Sequence, residues 1–252
     1  MKKSYEAKKV QRMLVFSLIV ILMAFLGACQ ANGTTGELQT DNETVQLGDA
    51  RIVDTQITVG AGDLTITGGA DNLLDATFTY NIPSSKPEVN YDVNQSGDTN
   101  IGNLTVKQPA ELDLSPNLTD YRYDWDLKFD NSVPMSMEIK LGAGETNLNL
   151  GELNLTGLDV TVGAGTATVD LTGEYQSDLQ AEIRGGVGNL NLILPESTGV
   201  RVKIDGGLGN VVATGLQREG DDFVNETYGS SEHTLEVHVQ GGVGEINMEV
   251  SR

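Results

Sequence analysis

The stretch that decides the fold is LDVTVGAGTATVDL, residues 158–171. Its apolar side chains stand at even positions before the glycine pair and at odd positions after it: Leu158, Val160, Val162 and Ala164, then Ala167, Val169 and Leu171. Successive side chains of a strand point to opposite faces of a sheet. Keeping the apolar groups inward across this shift requires a bend or bulge, which a glycine with positive φ supplies most simply. The stretch therefore predicts a strand that turns a corner at Gly165.

The same element recurs along most of the chain. Two glycines flank one apolar residue at 60–62, 142–144, 163–165, 186–188, 207–209 and 242–244, and a weaker copy with one glycine lies at Ile101-Gly102. The predicted corners are Gly62, Gly102, Gly144, Gly165, Gly188, Gly209 and Gly244. Most steps between them are one or two units of about 21 residues, a period typical of solenoids. The sequence therefore predicts an all-β fold, a stacked β-solenoid whose rungs share one apolar core.

The composition argues against several classes of function. The 252 residues include 36 acidic and 16 basic side chains, 2 His and 1 Cys, and the formal net charge is −20. Nucleic-acid binding depends on clustered Lys and Arg, so no nucleic-acid partner is expected. One cysteine makes neither an intrachain disulfide nor a Cys-rich metal cluster. Two histidines offer little for acid–base catalysis. We expect neither enzyme activity nor a cofactor.

Residues 1–28 have the features of an export signal. A basic head, residues 1–12, precedes sixteen uncharged and mostly apolar residues, a run shorter than the roughly 20 residues of a bilayer span. The run ends in Leu26-Gly27-Ala28-Cys29, which resembles the lipobox of bacterial lipoproteins. The resemblance implies that the Cys29 thiol carries a diacylglyceryl group and that the protein is extracytoplasmic and membrane-anchored. The alternative is an ordinary signal peptide beside a buried free cysteine.

The remaining chain divides by composition. Residues 29–48 are rich in Asn, Gly, Thr, Gln, Asp and Glu and poor in apolar residues, which predicts a flexible tether. Short alternating runs fill the rest, and we predict an N-terminal β domain over 49–120 and a β-solenoid domain over 121–252. The last step between corners is 35 residues, and its surplus falls within 216–232. Such an insertion in a repeat protein is either a harmless loop or a partner-binding projection.

An aromatic strand is predicted at residues 121–130. Its odd positions are apolar and its even positions are charged, so Tyr121, Tyr123, Trp125 and Phe129 are expected in the core. Asp124 and Asp126 would stand about 7 Å apart on the outer face, near the spacing of glycosidase carboxylates. A wet strand surface does not raise the pKa of a carboxyl group, so catalysis by this pair is not expected.

Other candidate motifs for nucleotide or metal sites lack the residue types that such sites require. No glycine copy is followed by the Lys-Ser/Thr of a phosphate-binding P-loop. The copy at 185–190 superficially resembles a calcium-binding nonapeptide repeat but has Leu190 where that repeat needs Asp. His233 and His238 are five residues apart, which places their imidazoles on opposite faces of a strand. No nucleotide, calcium or other metal site is predicted.

Two segments carry a resemblance to a known family. Residues 58–66, TVGAGDLTI, with the following 68–89, look like the N-terminal domain of the toast-rack proteins. The run from Trp125 through Val133-Pro134-Met135 to the Gly-Ala-Gly copies is similar to the toast-rack domain itself, which is related to the C-terminal part of the LiaF-type envelope-stress regulators. The resemblance implies a β-solenoid at the cell envelope and brings no catalytic residue.

Two functions are compatible with these patterns. The first is a non-enzymatic, lipid-anchored scaffold or interaction module of the cell envelope, linked to envelope-stress sensing through its family, with an envelope protein or glycan as partner. The second is an extracytoplasmic carbohydrate-binding or carbohydrate-cleaving β-solenoid, since long strand faces suit extended glycans. Sugar binders stack their ligands on exposed aromatics, whereas this chain is 5% aromatic and places most of these residues inward. The sequence favours the first.

Overall fold

The computed structural model describes residues 36–109 and 121–251, and these form a single compact unit of fourteen strands with one short 3-10 turn at Pro83–Ser85. The strands are β1 (Gln39–Val45), β2 (Ile52–Ala61), β3 (Asp63–Gly68), β4 (Leu74–Tyr80), β5 (Glu88–Ser96), β6 (Thr99–Lys107), β7 (Tyr123–Phe129), β8 (Met135–Asn149), β9 (Leu155–Asp170), β10 (Leu179–Pro195), β11 (Gly199–Thr214), β12 (Gln217–Glu219), β13 (Asp222–Val224) and β14 (Thr234–Ser251). Within these ranges no helix is long and apolar enough to span a bilayer. The predicted signal segment and Cys29 lie outside the described residues.

Five long parallel strands organise the sheet. β8, β9, β10, β11 and β14 each run for 15 to 18 residues and carry a Gly-x-Gly element near the middle. The bend at this element divides each long strand into two segments, and the sheet therefore has two halves, which we call the first arm (before the bend) and the second arm (after it). The first arm has the order β5-β6-β2-β8-β9-β10-β14-β11-β13-β12, and the second arm has the order β1-β4-β7-β3-β8-β9-β10-β14-β11. The all-β prediction is confirmed, and the result is one large mixed sheet.

The strand order differs from that of a solenoid. A solenoid adds rungs in chain order, but β14 lies between β10 and β11, and it pairs in parallel with both. Antiparallel strands β1, β4 and β5 add to the two arms. Strand pairing also crosses the predicted boundary at residues 120 and 121, because β2 and β3 pair with β7 and β8. A repeat period identifies equivalent strands but not the order in which they lie.

The glycines of the repeat form a column. The φ angles of Gly62, Gly144, Gly165, Gly188 and Gly244 lie between 131° and 150°. At each of these positions an added Cβ would overlap the carbonyl oxygen of the residue on the neighbouring strand, which is another glycine of the column in every case except Gly62. The close approach and the positive φ each exclude a side chain at these positions.

Two predicted corners have a different geometry. Gly102 lies inside β6 without a positive φ, and a Cβ there would collide with the ring of Tyr91. Its glycine makes room for an aromatic ring. Gly209 stacks on Gly244 like the other glycines, but the positive φ angles of β11 fall at Gly206 (76°) and Gly207 (94°). The last rung therefore bends two residues earlier.

The core lies on the inner faces of both arms. The predicted aromatic strand is β7, and Tyr123, Trp125 and Phe129 are at most 1% exposed, whereas Tyr121 is only partly buried. The Trp125 ring packs edge-on against Phe78 with centroids 5.1 Å apart, and its centroid lies 5.7 Å from that of Tyr123. The prediction that these aromatics fill the core is confirmed, apart from Tyr121.

Part of the predicted tether is a strand. Residues 39–45 form β1, which pairs antiparallel with β4. Its polar side chains make hydrogen bonds across the pair, as when the Thr77 hydroxyl donates to Asn42 at 2.9 Å. The Tyr80 hydroxyl donates to Asp41 at 2.7 Å, and burial together with this bond raises the pKa of Tyr80 to about 12. Composition alone predicted a tether because these strand residues are polar on both faces.

The insertion at 216–232 caps the first arm. It forms the hairpin β12–β13, and β13 pairs with residues 201–203 of β11. Asn225 is buried just after the hairpin, where its side chain accepts a hydrogen bond from the Val200 amide at 2.9 Å. The Asn225 amide donates to the carbonyl oxygens of Pro195 and Thr198 at 3.1 and 2.7 Å. The insertion is therefore part of the structure, and it covers the first arm of β11.

We expect Asn225→Ala to loosen this cap. The substitution removes the partner of the Val200 amide and of the Pro195 carbonyl oxygen, while the Thr198 carbonyl oxygen keeps its hydrogen bond from Thr227. Each buried unpaired group costs about 1–3 kcal/mol, so a loss of about 3 kcal/mol in unfolding free energy is expected. Urea unfolding measures the loss, and limited proteolysis within 216–232 locates it. Asn210→Ala, an exposed amide on β11, is the matched control. An Asn225→Ala chain that resists proteolysis like the parent would contradict this role.

Candidate interaction surface

Exposed apolar side chains concentrate at one corner of the sheet. Eight large hydrophobic side chains are exposed among the described residues, and five of them lie on β10, β11 and β14: Val187, Leu208, Val211, Val212 and Val243. We call these five the apolar corner. Leu208 is 76% exposed and Val187 is 61% exposed. Single exposed apolar residues are ordinary on protein surfaces, but five of them on three neighbouring strands favour an interaction site.

The residues between the paired glycines build this corner by their size. In spatial order along the column they are Ala61, Ala143, Ala164, Val187, Val243 and Leu208, each paired with the next. The side chain grows from alanine to valine to leucine toward β11. Val187, Val243 and Leu208 are 61%, 51% and 76% exposed, so this growth adds exposed apolar surface at the bend. Val187, Val243 and Leu208 line a shallow groove of about 70 Å³, together with Arg184, Asn189 and the glycines of β10, β11 and β14.

The outer edge of β11 is uncovered beyond the cap. β13 pairs only with residues 201–203, and among the described residues no strand pairs with this side of residues 204–214. We call residues 204–214 the open edge. An edge strand presents unpaired N–H and C=O groups that invite pairing with another chain. The inward side chain Val211, which is in register with Ile246 and Leu190, is 41% exposed because the core ends here.

The open edge differs from the other three edges in charge. β1 carries Asp41 and Glu43, β5 carries Glu88 and Asp92, and β12 carries Arg218 and Glu219. Charged side chains on edge strands are a common protection against unwanted pairing. Residues 206–214 carry no charge. Apart from Asp205 at its start, the open edge therefore lacks that protection.

Charged groups frame the surface on the first arm. The Asp205 carboxylate lies 2.9 Å from Lys203 and 2.7 Å from Nε2 of His238. These two hydrogen bonds, that of Lys203 foremost, hold the pKa of Asp205 below its usual value. The Arg184 guanidinium lies 2.6 Å from the Asp159 carboxylate. These charges on the first arm are thus paired with each other.

A polar row crosses the outer face of the second arm. One cross-strand register joins nine strands from β1 to β11 through Asn42, Thr77, Asp126, Thr65, Asn147, Thr168, Asn191, Asn247 and Val212. Amide side chains bond along it, as Asn247 donates to Asn191 at 3.2 Å. We call this the polar row. Val212 is its only aliphatic member and stands at the open edge.

The other residues singled out by sequence lie apart from this surface or are otherwise engaged. Asp124 and Asp126 face outward on β7, and Asp124 is paired with Arg122. His233 precedes β14, and its carbonyl oxygen accepts a hydrogen bond from Ser231 at 2.7 Å, while His238 bonds Asp205. The described residues contain no cluster of three or more His, Cys, Asp or Glu side chains arranged to hold a metal ion.

Sequence reasoning missed the open edge. Its signal is Val211-Val212, two adjacent aliphatic residues where the equivalent positions of β9, β10 and β14 alternate between an apolar residue and Thr or Asn. An aliphatic residue at the outward position 212 breaks the pattern of a half-buried strand. The strand order hides the consequence, because chain order places β14, and not β11, at the end of the sheet.

Comparisons with known proteins agree with this architecture. A solved structure of a candidate cell adhesion protein from Clostridium sporogenes matches with 30% identity, a TM-score of 0.81, and coverage of 85% of this chain and 100% of that chain. A candidate adhesin from Bacteroides fragilis aligns over 84% of this chain and 97% of that chain with 12% identity and a TM-score of 0.35. No curated protein matches.

The parallel strands, each bent at the glycine column, define an all-β protein with the apolar corner at one end of the sheet. The family model described as the N-terminal domain of toast_rack, DUF2154, matches residues 34–193. The chain belongs to this toast-rack family.

Proposed function

We propose that this chain is a non-enzymatic, lipid-anchored adhesion or interaction module of the bacterial cell envelope. The observation that carries the proposal is the apolar corner beside the open edge, an exposed surface of the kind that binds proteins. The similarity to a candidate cell adhesion protein over all of that chain supports it. The parallel strands serve as a rigid stacked scaffold that holds this surface in place.

The lipid anchor completes the proposal. Acylation of Cys29 holds the chain at the outer side of a membrane, and several acyl chains, at about 0.8 kcal/mol per buried CH₂, bind more firmly than one. The strongly acidic chain repels anionic lipid headgroups, which keeps the folded part in solution. A link to envelope-stress sensing follows the family resemblance and would use the same surface.

The experiment uses the full chain displayed on cells that lack their own copy. We expect Cys29→Ala to move the chain from the membrane to the soluble fraction, and mass spectrometry of the parent to find a diacylglyceryl group on Cys29.

We expect Leu208→Lys with Val212→Lys to reduce cell–cell aggregation or attachment about tenfold, as loss of an anchor residue at an interface does. Thr168→Lys, on the polar row, is the control. Unchanged attachment in the double variant at equal surface level contradicts the proposal.

A second candidate function rests on the polar row. Amide and hydroxyl groups on seven of the nine strands can bond the hydroxyl groups of an extended glycan. A glycan array with the purified chain separates the two candidates. Saturable binding that is lost in the Thr168→Lys variant would favour the glycan.

A further inference from the structure

We propose that the open edge of β11 pairs in antiparallel fashion with the open edge of a second copy of this chain. The inference rests on the proposed function, since it names the partner of the same surface. Pairing would satisfy the unpaired N–H and C=O groups of the strand and cover the exposed part of the apolar corner.

The cap decides which part of β11 takes part. The β12–β13 hairpin covers residues 201–203, so only the part beyond the bend is available. A two-fold axis at Val212 would place Val212 beside its own copy and Val211 beside Ala213 of the second copy. The capped first arms then lie at opposite ends of the paired strands. The same surface is used on both copies, so the contact closes as a dimer and does not extend into a filament.

The charge distribution favours pairing two copies through residues 206–214 over contacts between copies through other faces. The chain carries a net charge of −20, and the outer positions of the neighbouring strand β14 include Glu245 and Glu249. Contacts between copies through other faces bring acidic side chains together, which is unfavourable. Residues 206–214 are uncharged, and pairing them with themselves places neutral strand against neutral strand. An isologous contact through this segment avoids the repulsion.

Val212 supports the same arrangement. In the polar row the equivalent positions on β8, β9, β10 and β14 are Asn147, Thr168, Asn191 and Asn247, which fit a solvated face. A valine with 41% exposure fits a cross-strand neighbour that is also aliphatic or uncharged. The antiparallel pair supplies that neighbour and makes the polar rows of the two copies continuous.

Cross-linking on intact cells tests the contact. Two variants of the full chain, Val212→Cys and Thr168→Cys, are treated with a short bismaleimide, and the parent chain controls for reaction at Cys29. Cβ atoms of directly paired residues lie about 5 Å apart, whereas two Thr168 positions, each three strands from the edge, would lie roughly 30 Å apart. We expect a band at twice the chain mass from Val212→Cys alone.

Light scattering of the purified full chain in detergent gives the second measurement. We expect the parent to be a dimer and the Leu208→Lys, Val212→Lys double variant to be a monomer with the circular dichroism of the parent. A monomeric parent without a Val212→Cys dimer band overturns the inference. A cross-linked band of another mass also overturns it and leaves the proposed function standing with a foreign strand as partner. A confirmed dimer with unchanged cell attachment keeps the inference and contradicts the proposed function.

Discussion

A chain carrying Gly165→Ala is expected to lose about 2–6 kcal/mol of unfolding free energy. Gly165 has a φ of 131°, and an alanine in such a sparsely populated conformation costs on the order of 1–3 kcal/mol. Its added Cβ would also overlap the carbonyl oxygen of Gly144, and overpacking of this kind costs typically about 1–3 kcal/mol. Small domains are stable by about 5–15 kcal/mol, so the expected loss takes a large part of the total.

The same strand offers the control for this prediction. Gly157 in β9 has no positive φ, and a Cβ there would make only ordinary contact with Ser136. Gly157→Ala is therefore expected to change the unfolding free energy by less than about 1 kcal/mol. Urea unfolding followed by the fluorescence of Trp125, the one tryptophan in the chain, measures both variants. Equal stabilities of the two variants would show that the column tolerates side chains.

Five of the seven glycines expected at corners have positive φ angles, while Gly102 and Gly209 do not, and a bend of this kind depends on local geometry. A change of face within one strand needs a residue without Cβ, and the glycines at 62, 144, 165, 188 and 244 have positive φ angles. The inward aromatics at Tyr123, Trp125 and Phe129 were also predictable, since alternation over one strand decides which face is buried.

The strand order was not predictable from the repeat. Parallel pairing of β14 with β10 and β11 depends on contacts between residues far apart in the chain, such as Val187 with Val243 and Leu208 with Val243. All copies of the Gly-x-Gly element are similar to one another, so the repeat period does not determine which copies are neighbours in the sheet. The candidate surface depends on this order, because β11 has a free edge only when β14 lies inside the sheet.

Polar strands were the other failure of sequence reasoning. β1 has the composition of a linker, and its stability comes from its antiparallel pairing with β4 and from cross-strand hydrogen bonds such as Thr44 to Asp75 at 3.2 Å. Amino-acid composition indicates how much apolar surface a segment can bury. An edge strand can bury little apolar surface and still form backbone hydrogen bonds with its neighbouring strand.

The Trp125→Ala chain is expected to lose about 3–5 kcal/mol of unfolding free energy, the usual cost of removing a buried large aromatic side chain. Trp125 is 1% exposed and packs against Phe78 and Tyr123. Because the fluorescent residue is removed, circular dichroism follows the unfolding. Trp125→Phe keeps a ring in the same space and is the control, with a loss smaller than that of alanine. An alanine variant as stable as the phenylalanine variant would contradict the packing argument.

The number of steps in the urea unfolding curve also tests the predicted domain boundary between residues 120 and 121. Trp125 lies on β7, which pairs with β3 and β4 from before the boundary, while β3 pairs in turn with β8. The described residues belong to one compact unit, so the parent should unfold in one cooperative step. Trp125→Ala should then move that single step to lower urea concentration. Two separate steps, with only one of them shifted by the substitution, would instead support independent domains over 49–120 and 121–252.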